Sequence, residues 1–150
     1  MPEETALTSS DAWLLHAVLL AGGSGEVSLE DVVGVADMIN HAILTFDEID
    51  GGVARLSRSG LILVAKKRLQ LTRKALRLLR GARKLAIRTA AETVRDRLGV
   101  PEPSSVAASN PDGPNSRLKS GKFTRADLAK AVKAHHKKFL VSYAKATRSR

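Results

Sequence analysis

Four times along this chain a threonine or serine stands three residues ahead of a carboxylate at the head of an apolar run. The pairs are Thr8 and Asp11, Ser28 and Asp31, Thr45 and Glu48, and Thr124 and Asp127. In such a pair the hydroxyl accepts from an early helix N–H while the carboxylate reaches back to the cap residue's own N–H, so each marks a helix start. Helices are therefore predicted over residues 8–21, from Ser28 to about Ala42, from Thr45 to Gly60, and from Thr124 to about Ala146. Apolar side chains then recur at helical spacing: Trp13, Leu14, Val18 and Ala21; Leu29, Val32, Val33, Ala36 and Ile39; Phe46, Ile49, Val53 and Leu56; Leu128, Val132, His135, Phe139 and Tyr143. Only five residues are aromatic, so Leu, Ile, Val and Ala must fill the core. That composition suits a mainly α protein better than a sheet protein.

Between the third and fourth helix starts the pattern changes. Leu61–Val64 and Leu69–Leu71 flank a basic tip, Ala65 to Arg68, which reads as a small β-hairpin; periodicity alone equally admits a continuous helix. Thr72 then caps a long basic helix over residues 73–98. Its apolar stripe is Ala75, Leu79, Ala82, Ala86, Ala90 and Val94, and its basic stripe Arg73, Arg77, Arg80, Lys84, Arg88 and Arg95. Residues 99–121 hold four of the five prolines and read as a flexible linker. The expected organisation is a domain over 8–98, a linker over 99–121 and a basic amphipathic tail helix over 122–147. Phe123 and Leu128 are spaced as a hydrophobic staple at the start of that helix. Gly51 and Gly52 fall inside the third helix, where they cost roughly 1–2 kcal/mol of helix propensity. They mark either close packing or a break.

Charge divides the chain sharply. Residues 1–54 hold ten of the 15 acidic residues and no Lys or Arg, so the front third carries −10 and the remainder +20, giving the total of +10. The rear is expected to meet an anion. Arg55 and Arg58 fall off the core stripe of the third helix, Lys66, Lys67 and Arg68 crowd the hairpin tip, and Arg73, Lys74 and Arg77 follow it. These eight are the candidate phosphate contacts; the bland reading is solubilising surface charge. Each neutralised phosphate adds nearly one unit to the salt dependence of binding. The acidic opening of the third helix, Asp47, Glu48 and Asp50, has a bland reading too. Carboxylates in a first turn oppose the helix dipole and stabilise by about 0.3–1 kcal/mol each. The other reading is contact with a basic partner or with the chain's own basic helix.

The order helix, helix, turn, helix, basic hairpin, long helix resembles a winged helix-turn-helix domain. Leu56 followed by Gly60-Leu61-Ile62, then Leu71-Thr72 leading into a helix, is similar to bacterial winged-helix repressors over about residues 8–80. The resemblance implies duplex DNA binding, with the third helix in the major groove, the wing on the backbone, and dimerisation through a terminal helix. The sequence departs from that pattern in its glycine-free wing tip and in the carboxylates that open the third helix. The expected function is a DNA-binding transcriptional regulator, a homodimer that contacts duplex DNA mainly through phosphates. The alternative is a protein-interaction module on the same scaffold.

Other classes find less support. The chain has no cysteine, hence no disulfide framework or thiolate site, and no positively charged leader, so a cytoplasmic location is expected. The longest apolar stretch, Ala12 to Ala21, is about half a membrane span. No aromatic lies between Phe46 and Phe123, which argues against an interfacial membrane helix and against a base-stacking platform. The tail lysines form either a mobile basic arm or the exposed side of a docked helix, and docking is the expectation for its apolar face. His135 and His136 are adjacent and point apart, and His16 and His41 are isolated, so no metal site or cofactor is expected. No nucleophile elbow, phosphate loop or zinc-protease motif occurs, so neither is an enzyme.

Overall fold

The computed structural model describes residues 6–100 and 121–148. Its central element is α1 (Ser9–Gly22), whose residues from Asp11 to Leu19 are all buried except Trp13, which is half-buried. A helix enclosed on most sides needs packing partners around it. They are α2 (Leu29–Asn40), α3 (Phe46–Arg58) and α5 (Ile87–Leu98). Reciprocal capping boxes open α1 and α3, Thr8 with Asp11 and Thr45 with Glu48. At the start of α2, Ser28 accepts from the Asp31 N–H at 3.2 Å. The α2 helix ends where His41 takes a left-handed conformation, φ 53°.

A three-stranded antiparallel sheet lies against α1, with β1 (Val27–Ser28), β2 (Ile62–Ala65) and β3 (Arg68–Leu71) in the order β1-β3-β2. Its register pairs Val27 with Leu69, Ile62 with Leu71 and Ala65 with Arg68. Leu69, Leu71, Ile62 and Val27 turn into the core. The hairpin reading of residues 61–71 therefore holds over the continuous helix. Lys66 and Lys67 make its two-residue turn at φ 51° and 62°. Strand β1 has no counterpart in the sequence reading.

Residues 73–98 do not form one helix. α4 (Arg73–Leu78) stops after six residues, Gly81 turns the chain at φ 82°, a short 3-10 turn spans Ala82–Lys84, and α5 folds back onto α1. The reversal is fastened by Arg97, whose Nη1 donates to the carbonyls of Leu78 at 3.1 Å and Arg80 at 2.8 Å, groups that a helix end leaves open. Ala75, Ala82, Ala90 and Val94 are all buried, but from three elements: α4, the 3-10 turn and α5.

The last helix, α6 (Arg125–Arg148), packs on α2. Asp127 closes a capping box with Thr124, and Phe123 and Ala131 are buried with Leu128 and Val132 beside them. Docking stops short of the expected apolar face, because Phe139 is 62% exposed. The side chain of Tyr143 and most of the expected linker over 99–121 lie outside the described residues.

Gly51 and Gly52 settle as a close approach rather than a break. Both are buried inside an unbroken α3. A Cβ on Gly52 would stand 2.9 Å from Leu14 Cδ2 and 3.1 Å from Asp11 Oδ1. The missing side chain of Gly52 lets α3 press against α1, and that of Gly51 leaves room for the Arg55 guanidinium, 3.0 Å from where a Cβ would stand.

Candidate nucleic-acid interface

Seven of the eight nominated cations are exposed: Arg58, Lys66, Lys67, Arg68, Arg73, Lys74 and Arg77. The eighth requires correction. Arg55 is 5% exposed, and its Nε and Nη2 donate to Asp11 at 2.6 and 2.8 Å. It falls off the stripe of Ile49, Val53 and Leu56, yet α3 is covered on that face as well, so Arg55 is an internal strut and unavailable to phosphate.

The exposed seven fall at two places that adjoin through the hairpin. Lys66, Lys67 and Arg68 form its tip, and Arg73, Lys74 and Arg77 follow its base on α4. Arg58 ends α3, and Lys74 Nζ donates to the Ser59 carbonyl at 2.8 Å, which draws the start of α4 against the end of α3. Among the described residues Arg58, Lys66, Arg68, Arg73 and Arg77 have no carboxylate partner. Lys67 differs: its Nζ donates to Asp127 Oδ2 at 2.6 Å, and that contact with the Thr124 N–H holds the Asp127 carboxyl below its usual range. The lower half of the basic stripe, Arg88 and Arg95, belongs to α5, which packs on α1 apart from this cluster.

The acidic opening of α3 meets the tail helix. Arg125 Nη2 lies 3.6 Å from Asp47 Oδ1, with its guanidinium 4.8 Å from the centre of the Phe46 ring. The N–H of Gly121 donates to Asp50 Oδ1 at 3.3 Å. Residues Ile49 to Leu56 are all buried, leaving Asp47, Ser57 and Arg58 as the exposed positions of α3. Farther along, His135 Nε2 lies 3.0 Å from Asp37 Oδ2, and Lys138 pairs with Glu30. The Lys138 ammonium is held above its ordinary pKa by that carboxylate. The tail thus spans the first turn of α3 and, through Asp127, the hairpin tip. Of these carboxylates Asp47 faces a basic residue of the chain's own tail helix rather than of residues 73–98, while Glu48 accepts from the Thr45 N–H and from Ser10 Oγ.

Among the described residues no cluster of His, Asp and Glu is suited to hold a metal ion, and no helix is long and apolar enough to cross a membrane. His16, an isolated histidine in the sequence, proves to be a core residue, its imidazole 1% exposed with neither ring nitrogen hydrogen-bonded. A histidine inside the run Ala12 to Ala21 was the available signal. No family model, curated protein or solved structure matches the chain.

Proposed function

We propose that this chain is a winged helix-turn-helix domain that binds duplex DNA through its phosphates, in the manner of a transcriptional regulator. Three helices followed by a two-stranded basic hairpin on one core give the element order of such a domain. The observation that carries the reading is the set of exposed cations without carboxylate partners at the hairpin and at the adjoining ends of α3 and α4: Arg58, Lys66, Arg68, Arg73 and Arg77. Phosphate contact needs charge and reach, with no base readout. If all five engage, binding falls with salt at a log–log slope of about −4.5. Gel shifts on unrelated duplexes over a salt series test this, with Lys66, Lys67 and Arg68 changed together to Ala. Binding should weaken alike on every sequence; absence of duplex binding at low salt removes the proposal.

A second reading has its own support in the cover over α3. A helix α3 whose first turn meets the tail at Asp47 and whose residues from Ile49 to Leu56 are buried suits a protein-interaction module in which a partner contacts the tail or the acidic front. Stoichiometric recovery of a protein partner that survives nuclease treatment would favour it. Homodimerisation is proposed through the exposed stretch of α6 at Phe139, Leu140 and Val141, and sedimentation equilibrium measures it.

A further inference from the structure

Away from the hairpin, α1, α5 and the C-terminal end of α2 wall a cleft of about 760 Å³. That volume is within the range of small-molecule sites, about 300–1,000 Å³. The walls arise from helical spacing. Ser9, Ala12, Trp13 and His16 share one face of α1, and Ile87, Ala91 and Arg95 share one face of α5. Trp13, Met38, Ile39 and Ile87 supply apolar surface from three different elements. The Trp13 indole is fixed by its Nε1–H, which donates to the Ala36 carbonyl at 3.0 Å.

The lining is partly polar, with Ser9, Asn40, His41, Arg88 and Glu92, and two further polar residues converge on it. His16 is its innermost residue, with Nδ1 and Nε2 both lacking a hydrogen-bond partner. Burial pushes its pKa down, so the ring is neutral and offers one donor and one acceptor. A buried donor and acceptor left unmet are uncommon in a settled core. Arg95 is half-buried on the α5 wall and has no carboxylate partner among the described residues. Arg88, by contrast, lies at the rim, 94% exposed and 3.7 Å from Glu92.

We propose that this cleft binds a small organic acid. The apolar body of the ligand lies among Trp13, Met38, Ile39 and Ile87, its carboxylate meets Arg95, and a polar edge gives His16 the partner it lacks. The His16 nitrogens are closed to solvent, so the ligand reaches them by displacing a neighbour. Met38, unbranched and 51% exposed, is suited to yield. Because the cleft shares no residue with the hairpin cluster, the proposal stands independently of DNA binding.

Trp13 is the only tryptophan, so its fluorescence reports on the cleft. The full chain is titrated with benzoate, phenylacetate and hexanoate, and with the corresponding neutral amides. A saturable change with at least one acid, and at least about tenfold weaker binding of its amide, is expected. Arg95→Gln should erase the preference for the acid over its amide. The ring-nitrogen NMR shifts of His16 in the unaltered protein should move on saturation, a readout that needs no variant. No saturable response to any of the acids, equal affinity for acid and amide, or a silent His16 during saturation would each overturn the proposal.

Discussion

A single oxygen of Asp11 joins two helices: Oδ2 accepts the Thr8 N–H at 2.8 Å, closing the cap of α1, and the Arg55 Nε–H of α3 at 2.6 Å. The other oxygen takes Arg55 Nη2 at 2.8 Å. Both residues are buried, so removing one strands the other's charge. Arg55→Met should lower unfolding free energy by about 3–5 kcal/mol in urea denaturation. Pairing it with Asp11→Leu should recover most of that loss, leaving a deficit of about 1 kcal/mol for the forfeited cap. A double variant no more stable than the single one would show that the pair's energy lies elsewhere.

Gly52→Ala places a methyl group 2.9 Å from Leu14 Cδ2 and beside Asp11 Oδ1. Overpacking of this kind costs about 1–3 kcal/mol, against which the helix-propensity gain of alanine is smaller. A lowered Tm without loss of helical circular dichroism is expected.

Lys66 and Lys67 occupy a left-handed turn that favours Asn-Gly. Holding a side-chain residue there costs about 1–2 kcal/mol each. The double substitution Lys66→Asn, Lys67→Gly should therefore stabilise the fold while weakening duplex binding and flattening its salt dependence. Thermal melts and gel shifts on the same protein read the two effects in opposite directions.

Burial lowers the folded-state pKa of His16 below its ordinary 6.5. Between those two values the unfolded chain holds a proton that the folded chain does not. Stability is therefore full above 6.5 and drains as pH falls from there toward the folded pKa. His16→Leu should abolish that share of the decline. It should also raise stability at neutral pH by about 1–3 kcal/mol, because two unmet buried nitrogens are removed. Denaturation midpoints at about pH 7.5 and about pH 5.5 compare the two proteins, the other histidines being common to both.

Arg125 and Lys138 hold the tail against Asp47 and Glu30. If the tail covers a DNA-facing end of α3, Arg125→Glu with Lys138→Glu should raise duplex affinity despite making the protein less positive. The Arg125 pair is exposed and worth at most about 1 kcal/mol, so the fold should survive. Faster amide exchange at 46–50 would report the opening; lower affinity would mean that the tail's charge assists binding.

What the sequence disclosed was mostly local. Thr8, Thr45 and Thr124 each cap a helix with a carboxylate three residues on, a contact that needs no tertiary partner. The hairpin was legible from two apolar runs around a basic tip. The break at Gly81 was hidden because Ala75, Ala82 and Ala90 keep helical spacing across it, so one buried stripe masked two helices. Arg55 was misplaced because its partner is far away in sequence, and a stripe on one face of α3 does not reveal a second covered face. Strand β1 is two residues long, too short to carry an alternation.

The return of the tail over the acidic front also alters the far field. Asp11, Glu30 and Asp47 each face an Arg or Lys from the rear of the chain. Opposed charges that close sum to dipoles whose influence fades within a Debye length, about 8 Å in physiological salt. Under the proposed DNA binding, an approaching polyanion would therefore meet a weaker repulsive sector than a −10 segment would present, and steering toward the hairpin would operate over a wider range of approach directions.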